Sequence, residues 1–331
     1  MSKKHLEAKK RHHYVWANYL TRWSNGTNKV HYTTKTGKIA YDSVRAIVAD
    51  DYFYKISPLT KQQVEVIKGF SKMSPENLHM QHMEYLSDFL KFQLAETEYK
   101  KSGIKNTEVE LHLHVLKCNL LENLHAAHER AALPIISALA DEKLDTLDDK
   151  KNMLEFSIFL GHQISRTKTF RDRVLQNLHR STPTEIAIAD AMKNAWWFVS
   201  YMYGMSIGYS FFTARRRTTQ AILINETEIP FITSDNPAIN IHSCVSETEM
   251  TPPEYADFYY PISPRVAITI CDSKRFQPGK NVISESTVKE LNSKIAGHAM
   301  INIIGNSEQV ISDLKKIVGR SYKQRQSNRE S

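Results

Sequence analysis

The stretch NAWWFVSYMYGMSIGYSFFTA, residues 194–214, runs without a charge between Lys193 and Arg215, and its reading decides the fold. It is long enough to cross a bilayer as a helix. Its aromatic residues, serines and glycines are spread along its length rather than gathered at its ends, and aliphatic residues are few. That distribution fits a buried helix running into a strand, so no membrane span is expected.

Upstream of it, residues 60–208 carry a helical pattern broken by recognisable stops. SPENL starts one helix, with Ser74 suited to the N-cap and Pro75 to the first turn. A second helix covers about 108–139, where Pro134 is predicted to bend or interrupt it. A third follows LDDK over about 151–178, and STPTE, 181–185, starts the next. Downstream of Phe211 strand signals return: AILINE, IPFITSDNPAINI and YYPISPRVAITICD are rich in Ile, Val, Thr and aromatics and punctuated by Asn-Pro and Ser-Pro. Strands are expected over 211–271 and final helices over 284–314. Near the start, VHYTTKTGKIAYDSV predicts a hairpin over 30–44 about Thr36-Gly37, and DYFYKI a further short strand. The expected class is α+β, a helical bundle beside a small, mainly antiparallel sheet built from N-terminal and C-terminal strands, in one domain over 13–314.

Composition agrees with a globular chain, because 41% hydrophobic and 24% charged residues argue against disorder and fibre alike. The net charge of +8 is unevenly placed. Lys3, Lys4, Lys9, Lys10 and Arg11 against Glu7 give an N-terminal arm, 1–12, a charge of +4. Lys315, Lys316, Arg320, Lys323, Arg325 and Arg329 against Glu330 give a C-terminal tail, 315–331, a charge of +5, which leaves −1 for everything between. Such ends can hold phosphate backbones without sequence preference, or simply be solvated. Cys118, Cys244 and Cys271 are odd in number and form no CxxC pair. They suit free thiols in a reducing compartment, and with no apolar signal segment at the N-terminus a cytoplasmic location is expected.

Candidate chemistry is scattered. ENLHMQHME, 76–84, and ENLHAAHER, 122–130, repeat a Glu-x-x-His spacing found in di-iron bundles, but Glu76 is explained by its helix start and no spacing marks the two further glutamates such sites need. In the second copy His125, His128 and Glu129 lie about one turn apart. In RHHYVWANYLTRW one histidine of the pair must face away from the other, so His13 is expected to be buried as an acid or base while His12 stays wet. GHQISRTKTFRDR places Gln163 and Arg166 on one helix face, where a buried guanidinium demands partners that Glu129 can supply. PFITSDNPAI ends an apolar strand at Asp235-Asn236-Pro237, which either fixes a turn or presents site residues rigidly.

In this order the pieces resemble the uncharacterised, mainly bacterial family called domain of unknown function 4238. The likeness rests on the opening His12 to Val15 with Leu20 and Trp23, on Glu129 in HERAALPII, and on Gln163, Arg166, Phe170 and Arg171. It continues through Thr233 to Pro237, Pro261 to Pro264, and Leu291-Asn292. One position departs: Trp16 stands where the family usually has proline. The resemblance implies no activity, but it leaves Glu76, His79 and His125 outside the shared pattern.

The expectation drawn from these residues is a nucleic-acid-processing enzyme, a phosphodiesterase or ribonuclease-like effector of the kind used in phage defence. His13 serves as general acid or base, Glu129 as its partner, Arg166 and Gln163 bind phosphate, and Asp235 and Asn236 complete the site, with Arg171 a further substrate contact. RNA is the expected partner, aided by the basic ends. Two alternatives stand beside it. One makes Glu129, Asp235 and His13 ligands of a divalent metal, with no other cofactor expected. The other makes the polar set a buried network in a non-catalytic module that binds RNA or protein.

Overall fold

The computed structural model describes residues 7–245 and 253–323, so residues 1–6 of the expected basic arm and 324–331 of the basic tail lie outside the described residues. The chain opens with strand β1 (Arg11–His13), one helical turn α1 (Ala17–Leu20), the hairpin strands β2 (Lys29–Thr33) and β3 (Ile39–Ser43), and β4 (Ala49–Asp51). Helices α2 (Lys61–Ser71), α3 (Glu76–Lys101), α4 (Thr107–Ala140), α5 (Lys150–Ser165), α6 (Lys168–Gln176), α7 (Pro183–Asn194) and α8 (Trp196–Ala214) follow. Then come β5 (Thr219–Ile224), β6 (Thr233–Ser234), β7 (Ile239–Asn240), β8 (Asp257–Pro261), β9 (Val266–Cys271) and β10 (Gly279–Val282). Helix α9 (Glu285–His298), β11 (Ile303–Gly305) and α10 (Glu308–Leu314) complete the order.

The class is α+β. Strands from the two chain ends share one sheet of order β3-β2-β11-β6, antiparallel throughout, in which His31 pairs with Gly305 and Ile303 with Ser234. A second sheet, β10-β5-β9-β8-β7, is drawn wholly from the C-terminal half, with β10 parallel to β5 and the other pairs antiparallel. Strands β1 and β4 form a separate ribbon in which His13 pairs with Ala49. The single sheet expected from the sequence is thus spread over three.

Capping side chains set where the helices start. Thr60 with Gln63 and Thr182 with Glu185 form reciprocal capping boxes, and Pro183 takes the first turn of α7. Helix α3 begins at Glu76 with Pro75, not Ser74, in the capping position. The long helix expected over 151–178 is two: Thr167 Oγ1 accepts the Phe170 N–H, capping α6 and ending α5 just before Arg166. Pro134 lies inside α4, which continues to Ala140. Trp16 holds φ −58°, a value proline would also hold, so the departure at this position leaves the backbone compatible with proline.

Helix α8 is the uncharged stretch, apolar on nearly every side and buried along most of its length. It continues past Phe211 to Ala214, and the first C-terminal strand begins at Thr219. Among the described residues no helix is long and apolar enough to cross a membrane. What covers α8 is chiefly α5, and glycines set how near the two lie. A Cβ on Gly161 would stand 2.3 Å from the Gly204 carbonyl oxygen, one on Gly204 2.2 Å from His162 Nδ1, and one on Gly208 2.8 Å from Ile158 Cα. Backbones this close admit no side chain between them.

Gly161→Ala and Gly204→Ala are therefore expected to lower unfolding free energy by about 2–4 kcal/mol each, since packed helices must separate. Gly69→Ala on α2, where nothing lies within 4 Å of the added carbon, is expected to change stability by less than about 1 kcal/mol and in the favourable direction. Urea titrations of the three variants check both statements.

Candidate functional site

Polar side chains gather where the N-terminal segment lies against α4 and α5. Arg166 closes α5, its backbone N–H still bonding the His162 carbonyl at 3.1 Å, and its side chain is only 2% exposed. Nη1 donates to Glu129 Oε1 at 2.6 Å and Nη2 to Gln163 Oε1 at 2.8 Å, while Gln163 Nε2 donates to the Tyr14 carbonyl at 3.1 Å. Burial by itself would depress the guanidinium, but Glu129, Tyr54 and Glu122 together hold its pKa above the ordinary value, so it stays charged. The pairing of Arg166 with Glu129 expected from their chemistry is present.

Glu122 stands seven residues before Glu129, on the same face of α4. Its carboxyl has no hydrogen-bond or ion-pair partner among the described residues. Burial, then the charge of Glu129, pushes it up to about 7, against the pull of Arg166 and Lys9. Glu129 is also raised by burial, with Arg166 opposing. An acid group poised near neutrality beside a fixed positive charge is the feature that the sequence reading missed. Its one signal there was the seven-residue spacing to Glu129 within ENLHAAHER.

The two adjacent histidines exchange the places expected of them. His12 is fully buried: its Nδ1 accepts the Tyr54 N–H at 2.9 Å, its Nε2 donates to the Lys9 carbonyl at 2.9 Å, and its ring stacks on Tyr54. Both nitrogens are thereby spent. His13 is half-buried and donates Nε2–H to the Arg45 carbonyl at 3.2 Å, which leaves Nδ1 as its basic nitrogen. Burial lowers its pKa, and the charges of Arg11, Arg166 and Arg45 lower it further, so the ring is neutral at physiological pH. Arg11 donates to the Ala46 and Ala49 carbonyls at 2.8 and 3.4 Å, bracing the turn that carries Arg45.

Behind Arg166, His125, His128 and His162 meet Tyr201 of α8. His128 stacks on His162 at 4.5 Å, His162 lies 4.5 Å from the Tyr201 ring, and His128 Nε2 is 3.1 Å from its hydroxyl. Burial and the neighbouring guanidinium keep all three imidazoles neutral.

The sheet residues are differently occupied. The two carboxylate oxygens of Asp235 accept the N–H groups of Met300, Ile301 and Asn302 at 2.7–2.9 Å. Asn236 Nδ2 donates to the His298 carbonyl at 3.3 Å. Both lock β6 to the segment between α9 and β11. Arg171 bonds Asp172 at 3.0 Å, and its side chain makes no hydrogen bond or ion pair to Arg166, Glu129 or Gln163. Asp235 is near enough for its charge to raise Tyr14 and for Lys168 to act on it, but its lone pairs face backbone. A metal held jointly by Glu129, Asp235 and His13 therefore lacks its ligands: one Glu129 oxygen faces Arg166 and both Asp235 oxygens face amides. No group of three or more His, Cys, Asp or Glu among the described residues has metal-binding geometry. In the first Glu-x-x-His copy, His79 and His82 both bond Ser71, at 2.7 and 3.0 Å.

Residues 11–309 match the family described as "Protein of unknown function (DUF4238)", and the chain belongs to it. No curated protein and no solved structure matches the chain.

A carboxyl whose folded pKa lies above its unfolded one supports folding at low pH and opposes it as pH rises from the unfolded value, about 4.3, to the folded one. Glu122→Gln is thus expected to be more stable than the parent by on the order of 3 kcal/mol at about pH 8, with the gap closing toward about pH 4. Denaturant titrations across that range test it, and a gap that does not change with pH would contradict the assignment.

Proposed function

We propose that this member of the DUF4238 family is a nucleic-acid-processing phosphodiesterase, acting on RNA as a ribonuclease-like effector. The observation that carries the reading is a charged guanidinium, held by Glu129 and Gln163, whose field acts on two proton-exchanging groups, lowering His13 and opposing the rise of Glu122 to about 7. In the reaction one group takes the proton of a ribose 2′-hydroxyl as that oxygen bonds phosphorus, and the other returns a proton to the departing 5′-oxygen. Arg166 offsets the negative charge that builds on the phosphorus-bound oxygens. Glu129 and Gln163 hold the guanidinium; Asp235 and Asn236 hold the sheet edge and do not themselves react. A cytoplasmic effector in phage defence, or a toxin-like system, is the setting we assign to such an activity.

A second reading is favoured by a specific observation: Gln163, Asp235 and Asn236 spend their side-chain bonds inside the protein. On that reading the network is structural and the chain is a binding module.

Incubation of the purified protein with total RNA, tRNA and single-stranded DNA, with and without EDTA, tests the proposal. Cleavage of RNA that persists in EDTA and falls about 100-fold or more in both His13→Ala and Glu122→Gln is expected. Glu129→Gln leaves Arg166 buried without its anion and is expected to cost on the order of 3–5 kcal/mol of stability. Absence of cleavage by folded protein, with His13→Ala as destabilised as Glu129→Gln, would instead establish the structural reading.

A further inference from the structure

A cleft of about 530 Å³ opens between the α1 turn and the β2–β3 hairpin, and one of its lining residues, Arg45, is the residue whose carbonyl the His13 ring bonds. It falls within the range of about 300–1,000 Å³ typical of small-ligand sites. Asn18, Thr21, Asn28, Ser43 and Arg45 line it. The hydroxyls are in use, Thr21 donating to the Asn18 carbonyl and Ser43 accepting the Arg45 N–H. The side-chain amides of Asn18 and Asn28 and the guanidinium of Arg45 have no partner among the described residues. The cleft thus offers two amides, each donor and acceptor, and one uncommitted cation.

The hairpin extends this surface. Antiparallel register sets Lys29 opposite Ser43 and His31 opposite Tyr41, so all four share one face of the ribbon. Tyr41 is 49% exposed, its ring 4.6 Å from that of His31 and beneath the Lys29 ammonium at 5.9 Å. An open aromatic ring beside a lysine, leading into a polar cleft with a free arginine, combines a stacking platform, a phosphate contact and groups that pair with a base edge.

We propose that this cleft and hairpin face hold consecutive unpaired nucleotides of a single-stranded nucleic acid, with a phosphate at Arg45, a base edge at Asn18 and Asn28, and the next base stacked on Tyr41. Duplex is disfavoured because its base edges and faces are already engaged. The inference rests on the reading of the His13 site as one that processes nucleic acid, and names the track by which a strand enters it.

The test is fluorescence anisotropy with a short labelled 2′-O-methyl oligouridylate, which lacks the hydroxyl needed for cleavage. The parent protein is expected to bind it. Tyr41→Ala weakens binding about fivefold or more by removing one base stack, and Arg45→Ala weakens it while reducing the log–log salt slope by about 0.7. Both residues are exposed, so both variants stay folded: Arg45→Ala keeps the parent melting temperature, and Tyr41→Ala, which gives up surface contacts with His31, Lys29 and Thr27, lowers it only slightly. The proposal is overturned by a parent that does not bind, by variants that bind as the parent does, or by duplex RNA competing as well as the single strand. Displacement by uridine monophosphate at matching concentrations would also overturn it, by assigning the cleft to a free nucleotide. Oligomer binding that depends on Tyr41 and Arg45 without any RNA cleavage sustains the track and removes the proposed reaction, whereas RNA cleavage indifferent to both substitutions removes the track alone.

Discussion

A guanidinium withdrawn from water must find acceptors inside the protein, and Arg166 finds them in two directions. Glu129 lies on α4, 37 residues earlier in the chain, and Gln163 lies one turn back on α5. Through Gln163 the constraint reaches the Tyr14 carbonyl, which ties the N-terminal segment to the same point. The position of α5 is in turn dictated from behind, where Gly161, Gly204 and Gly208 bring its backbone against that of α8 and press His162 onto Gly204. A shift of α5 would disturb the helix contact and the ion pair together.

Groups around this point divide by whether their bonding capacity is used. His12, Gln163, Asp235 and Asn236 are committed to backbone or to one another, and each holds a segment in place. Glu122, the Nδ1 of His13 and the Arg45 guanidinium are not so committed, and they are the groups with proton or charge to offer a ligand. A low dielectric makes a buried polar group without a partner, such as the Glu122 carboxyl, expensive.

The same segment joins the chain ends. Tyr19 bonds the Pro261 carbonyl and Thr233 at 2.7 Å, Trp23 donates to the Phe231 carbonyl at 2.8 Å, and Thr33 bonds Ile301 and Ile303. Asn292 of α9 completes the seam by pairing with Ile232 and Pro230. The residues that carry the family likeness are thus largely those that fasten the N-terminal segment, the bundle and the sheets to each other. Their association with one another is a property of the fold before it is one of any reaction.

Short-range chemistry accounts for what the sequence by itself determined. The capping box of Thr182 with Glu185, the hairpin about Thr36-Gly37, the uncharged run that had to be buried, and the demand of Arg166 for an acidic partner each follow from residues a few positions apart or from one side chain's own cost of burial. Alternation likewise showed that one histidine of the His12-His13 pair turns inward. Which one does so was decided only in three dimensions, by the Tyr54 amide 42 residues away that needed an acceptor. The same holds for the division of strands among three sheets, for the binding of Asp235 to amides some 65 residues distant, and for Glu122. A carboxyl's pKa is set by water removed and charges brought near, and neither is written in its neighbours along the chain.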